Sequence, residues 1–147
     1  MDTKFTKYFN NAAKWAEKYM GSTEYNTHCL AFVEDAYEQS NNLEIFGGST
    51  AKESADEYEA NKNTDMPALG SFVFYNCSGI LNGEYKNWGH VGLYLGNGEV
   101  IHAWDKVRKD NYIEIQNLTT PPGWTKLEYI GWVPVERIFL GYIDRAE

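Results

Sequence analysis

The sequence predicts an α+β protein in which N-terminal helices pack on an antiparallel β-sheet. Two observations carry this. Apolar residues in the first sixty positions recur at steps of three and four, whereas after Asn63 β-branched and aromatic residues gather in short runs divided by Gly, Asn or Pro. Helices followed by strands, rather than the two in alternation, is the order of an α+β chain.

The first helix is read over residues 3–20, where Phe5, Tyr8, Phe9, Ala12, Ala16, Tyr19 and Met20 form one face. Gly21 follows, a residue able to stop a helix in the left-handed conformation. Residues 21–28 make a turn-rich connection. A second helix runs from about Cys29 to Gln39, with Leu30, Val33, Ala36 and Tyr37 on one side and Asn26 or Thr27 expected as its cap. Cys29 then lies in the first helical turn. A third helix is read over Thr50–Glu59, opened by Thr50 and Glu53 at capping-box spacing, with Glu53–Glu59 as its solvated acidic face. Strands are expected at Ser71–Cys77, His90–Leu95, Glu99–Trp104, Tyr112–Asn117 and Leu127–Leu140. No linker or repeat interrupts the 147 residues, which are read as one domain, 1–147.

Composition narrows the function. Hydrophobic residues make up 43% and charged residues 23%, the balance of a chain that folds around a core. A net charge of −8 disfavours nucleic acid as a partner, and no apolar run approaches the roughly 20 residues of a membrane span. The N-terminal stretch lacks a basic region followed by an apolar core, so the expected address is cytoplasmic. The cell wall or extracellular space would then be reached through lysis or a route without a signal. In that setting Cys29 and Cys77 are read as reduced thiols. Nothing in the sequence sets an oligomeric state.

Thiol hydrolysis requires a cysteine, a histidine that moves its proton, and a third group that orients the histidine. Cys29 is the candidate nucleophile, since unpaired amides and partial positive charge at a helix start favour a thiolate. His90 is the candidate base and His102 its orienting partner, on consecutive strands of one hairpin. Parity tests that pairing. A two-residue Asn97-Gly98 turn sets His102 opposite Leu93, away from His90. A three-residue loop, Gly96–Gly98, sets it opposite Gly92 with His90 diagonally adjacent on the same face. The chemistry selects the longer loop. Such a triad needs no cofactor and no metal; the competing reading of the same three residues is a zinc site with one sulfur and two nitrogens.

The segment from His90 to Ala103, HVGLYLGNGEVIHA, resembles the histidine hairpin of the NlpC-type cell-wall cysteine peptidases, papain-like enzymes related to the CHAP-type amidases. Cys29, His90 and His102 match the three catalytic places of that family. Gly21-Ser-Thr-Glu-Tyr25 resembles an entry whose tyrosine hydroxyl lies near the sulfur, which implies an oxyanion role for Tyr25 beside the Cys29 amide. Residues 66–75 resemble the strand that precedes the histidine hairpin. The resemblance implies a papain-like fold and an amide or peptide bond in peptidoglycan stem peptides as substrate. The chain departs from the family at the nucleophile, where Asp-Cys-Ser-Gly is typical and His28-Cys29-Leu30-Ala31 stands instead. Asn76-Cys77-Ser78-Gly79 copies those letters better, but Cys77 ends a strand and opens no helix. Intracellular thiol amidases, deamidases and acyltransferases share the triad and form the alternative class. Trp88 and Trp104 flank the expected site as candidate cleft walls, and His28 is read as a solvated or capping residue.

Overall fold

The computed structural model describes residues 1–145. Helix α1, Thr3–Glu17, is capped by the Asp2 carboxylate, which accepts from the Lys4 amide, and buries Phe9, Ala12 and Ala16. Helix α2, Cys29–Asn41, buries Leu30, Phe32, Val33, Ala36 and Tyr37 and ends at Asn42 in the left-handed region. A two-residue strand β1, Leu43–Glu44, leads to helix α3, Ala51–Glu57, whose Thr50 cap accepts from the Glu53 amide as expected. A 3-10 turn at Ala60–Lys62 closes the helical half.

The strands follow as β2 Phe72–Asn76, β3 Ser78–Leu81, β4 Glu84–Asn87, β5 His90–Gly96, β6 Glu99–Ala103, β7 Val107–Asn111 and β8 Glu128–Val133. A short helix α4, Val135–Ile138, and strand β9, Ile143–Asp144, complete the described chain. Five strands form an antiparallel sheet in the order β7-β6-β5-β2-β8, while β3 pairs with β4 and β1 with β9. The fold is α+β with helices against the sheet.

Alternation divides the sheet into two faces. Phe72, Phe74, Val91, Leu93, Ile101 and Ala103 point toward α1, α2 and α3 and build the larger core. Val73, Tyr75, Tyr94 and Val100 point the other way, onto Ile115 and Leu127 under a cover of Trp104, Tyr112, Trp124 and Trp132. His90 and His102 belong to this second face.

Several sequence expectations need correction. The strand expected at Tyr112–Asn117 lies earlier, at Val107–Asn111, and Glu114–Asn117 is a 3-10 turn. The Asn111 side chain stops the strand by accepting from the Ile113 and Glu114 amides. Polar β7 is held by its register with β6 and by Lys109 pairing with Glu17, which outweigh its weak strand propensity. The strand expected over Leu127–Leu140 ends at Val133, because Pro134 caps α4 and offers no amide to a ladder. The β3–β4 hairpin was not expected, although Asn82-Gly83, both at positive φ, is a strong hairpin signal. Neither Asn26 nor Thr27 caps α2. The cap position is His28, without a side-chain bond, while Thr27 sits at φ 66 and the Asn26 amide donates to the Asp105 carbonyl.

The β5–β6 turn is a correction with the expected consequence. Asn97 and Gly98 form a two-residue turn, both at positive φ, and Gly96 faces Glu99. An extra residue in β5 then shifts the register, so that Tyr94 faces Val100 and Leu93 faces Ile101. A β-bulge therefore does what a three-residue loop was expected to do, and His102 comes opposite Gly92. Gly92 is required there: a Cβ would lie 2.2 Å from Val100 Cγ1 and 3.0 Å from His102 Cβ. Gly92→Ala is expected to destabilise by about 1–3 kcal/mol through overpacking. Adding Val100→Ala, which vacates the closest contact, is expected to recover part of the loss. Thermal midpoints of the two single variants and the double variant check this; strictly additive losses would mean that the clash is elsewhere.

Candidate active site

Helix α2 and strand β5 both begin at one cleft of about 1370 Å³, with Cys29 and His90 as their first residues. No residue precedes Cys29 in the helix, so its own amide and that of Leu30 have no helical acceptor and turn toward the sulfur, joined by the Val91 amide. These three donors favour a thiolate. Burial is the larger effect and pushes the Cys29 thiol up to about 11. Burial therefore works against the thiolate that the helix start favours.

From His90 a file of hydrogen bonds crosses the hairpin. His90 Nε2 lies 2.8 Å from His102 Nδ1, and His102 Nε2 lies 2.8 Å from Asp110 Oδ2. Asp110 is fixed in turn by Arg108, whose Nε donates to the same carboxylate oxygen at 2.8 Å while its outer nitrogen reaches Oδ1. Arg108 also donates to Asp105. A carboxylate beside a guanidinium only accepts, so His102 carries its proton on Nε2 and accepts on Nδ1. His90 must then donate from Nε2, which leaves Nδ1 with its lone pair. Burial and the neighbouring ring hold His90 well below the ordinary histidine range. His102 is also held low by burial, although Asp110 draws it upward. The bonds to His102 and Arg108 outweigh burial at Asp110 and keep its carboxyl below the usual range. Burial thus favours the neutral form of both the Cys29 thiol and the His90 imidazole. Both nitrogens of His102 are occupied within this file, so neither has a lone pair left for zinc.

Three tryptophans wall the cleft. Trp88 donates to the Gly79 carbonyl and Trp104 to the Thr119 carbonyl, and the Trp104 ring stands edge-on to His90 with centroids 5.1 Å apart. Trp124, which the sequence reading did not single out, lies so close over Gly79 that a Cβ there would fall 2.0 Å from its ring. His28 lines the rim.

Cys29, His90 and His102 are thus brought to one place; Tyr25 is not. Its hydroxyl donates to Asp35 at 2.7 Å and its ring packs among Trp15, Tyr19 and Phe32, outside the cleft lining. The expected oxyanion role of Tyr25 is corrected on that ground. Cys77 lines the cleft wall but is 1% exposed, and burial pushes its thiol up to about 11 as well. Asp110 was missed because it falls in a polar segment between the strands expected at Glu99–Trp104 and Tyr112–Asn117. Once β7 is in place, it sits diagonally across the ladder from His102, which pairs with Arg108.

The NlpC/P60 family model matches residues 16–127, more than half of the chain. The chain belongs to the NlpC/P60 family. Membership makes it a cysteine-type hydrolase of peptidoglycan-related amide bonds in general. The span matched to NlpC/P60 takes in Cys29, His90, His102 and Asp110 and ends before β8.

The protonation states lead to a pH prediction. With the thiol raised to about 11, thiolate is scarce at neutral pH and grows as pH rises toward that value. Iodoacetamide labelling of Cys29 is therefore expected to accelerate steadily from pH 7 to 10, as measured by peptide mapping. A rate already flat from pH 5 upward would reveal a preformed thiolate–imidazolium pair instead. Cys77, shut off from solvent, is expected to label more slowly throughout.

Proposed function

We propose that this protein cleaves an amide bond of peptidoglycan stem peptides, with Cys29 as nucleophile, His90 as general base and acid, and His102 as the orienting residue. Asp110 is added as the group that fixes His102. The hydrogen-bonded file from His90 through His102 to Asp110 carries the reading, because it leaves one imidazole nitrogen, His90 Nδ1, at the cleft that also holds the cysteine.

As Cys29 Sγ bonds to the substrate carbonyl carbon, its proton passes to His90 Nδ1, and the carbonyl oxygen becomes an oxyanion that accepts from the Cys29 amide. The developing imidazolium is stabilised across His102 by the Asp110 carboxylate, without proton transfer to Asp110. Collapse breaks the carbon–nitrogen bond, and Nδ1 returns the proton to the leaving amine. Water then attacks the thioester and gives a proton to Nδ1. The carbon–sulfur bond breaks, the proton goes back to sulfur, and the acid leaves.

A second reading, an intracellular amidase, deamidase or acyltransferase, is favoured by His28 and Leu30 on either side of the nucleophile. Digestion of purified muropeptides followed by mass spectrometry separates the two. Stem-peptide hydrolysis is expected to yield fragment pairs that together exceed the parent by one water. Acylation by an activated ester without any muropeptide cleavage would support the second reading.

Variants test the roles. Single-turnover acylation by the activated ester is expected to fall by about a thousandfold or more in Cys29→Ala and His90→Ala. His102→Asn is expected to retain more activity than His102→Ala, because its amide can still accept from His90. Asp110→Ala is expected to lower the rate with little change in substrate affinity. A fully active His102→Ala would make that residue a bystander.

A further inference from the structure

Glu34, Asp105 and Arg108 are the acidic and basic side chains of the cleft lining. Two of them are matched, since Arg108 bonds Asp105 and Asp110. Glu34 is not. Among the described residues none donates a hydrogen bond to its carboxylate and none forms an ion pair with it. Its charged neighbours are Asp35 and Glu38, each already accepting elsewhere, from the Tyr25 hydroxyl and the Ile45 amide. Half-buried with only like charge nearby, the Glu34 carboxyl is pushed up to about 7. An unmatched carboxylate in such a place costs stability, and a cleft retains one at little loss where a ligand supplies the counter-charge.

Position adds to this. Glu34 stands five residues beyond Cys29 on the same helix, about 7.5 Å along its axis, which is the reach of roughly two residues of extended peptide. Leu30 lies one turn before it on the same strip and also lines the cleft, so an ion pair formed there would be partly shielded from water. The nucleophile itself has His28 and Leu30 beside it, so neither adjoining side chain is acidic.

We propose that Glu34 is a specificity-determining residue that receives a primary ammonium group of the amide substrate, about two residues from the scissile bond. The proposal rests on the reading of Cys29 and His90 as the hydrolytic pair. Stem peptides offer this chemistry at two points, the N-terminal amine once the peptide is released from its glycan and the side-chain amine of the diamino acid when it is not cross-linked. In either case, conversion of the amine to an amide removes the charge that Glu34 reads.

The test uses a synthetic stem tetrapeptide with lysine as its third residue, in four forms: both amines free, either one acetylated, or both. For the wild-type protein, acetylation of one of the two amines is expected to lower kcat/KM by tenfold or more, mainly through KM, and the sensitive amine identifies the source. In Glu34→Gln the ratio between free and acetylated forms is expected to collapse to about one. A structural role for Glu34 would instead lower all four forms alike and leave the ratio intact, which would overturn the proposal, as would wild-type indifference to acetylation. Titration of the same peptides into Cys29→Ala, with and without Glu34→Gln, separates the two readings. Amine-dependent, Glu34-dependent binding without wild-type hydrolysis would keep the Glu34 assignment and sink the hydrolytic one. Hydrolysis at equal rates for all four forms would do the reverse, and neither binding nor hydrolysis would overturn both.

Discussion

Two imidazole rings removed from water must find partners for their nitrogens or bear the cost of leaving them unpaired, and this requirement organises the sheet around them. His102 is wholly buried and His90 is 2% exposed. Of their four ring nitrogens, three are used in a directional chain that ends on a carboxylate, itself held by a guanidinium. Direction matters as much as satisfaction. A chain anchored by an obligate acceptor at Asp110 fixes every proton in the file and leaves one lone pair at the cleft. If Asp110 were a donor, the order of protons would reverse and His90 would offer a hydrogen where the proposed mechanism needs a base.

The same economy of position sets Cys29 and His90 at one cleft. Strand β5 starts at His90 and helix α2 starts at Cys29, so each of the two stands where its element meets the cleft with backbone groups not yet committed. The connection before Cys29 is stitched to the far strands rather than left loose. Gly21 and Ser22 exchange backbone hydrogen bonds with Val107, and the Asn26 side chain donates to the Asp105 carbonyl. Asp105 in turn holds Arg108. The approach to Cys29 and the histidine file thereby share a boundary at the β6–β7 turn.

Much of this was legible in the sequence, and the limits follow from what sequence encodes. Helical periodicity located α1, α2 and α3, and with three histidines and two cysteines in the chain, the pairing of His90 with His102 on one hairpin stood out. Parity even called for one residue more than a simple Asn-Gly turn, although it placed that residue in the loop rather than in the strand. What stayed hidden depends on tertiary distance. Asp110 could be assigned to His102 only after Val107–Asn111 was known to be a strand, and its polar composition argues against one. The Tyr25 hydroxyl was drawn to Asp35, ten residues away on the next helix. The Cys29 thiol was judged by its helix terminus, while the burial that outweighs that terminus comes from the whole cleft.

The bulge between Tyr94 and Gly96 changes what chain length means in this part of the molecule. Surface turns ordinarily tolerate gain or loss of a residue, because only loop-closure entropy responds, and weakly. Here, closing the bulge while keeping its extra residue in the ladder would slip the pairing by one and set His102 opposite Leu93. His102 would enter the apolar layer against α2, and Ile101 would turn to the face of His90. In this turn, residue number is under the constraint that elsewhere applies to residue identity: substitutions at the exposed Asn97 leave the parity of the hairpin intact, whereas a change in length that the bulge does not absorb takes His102 off the face it shares with His90.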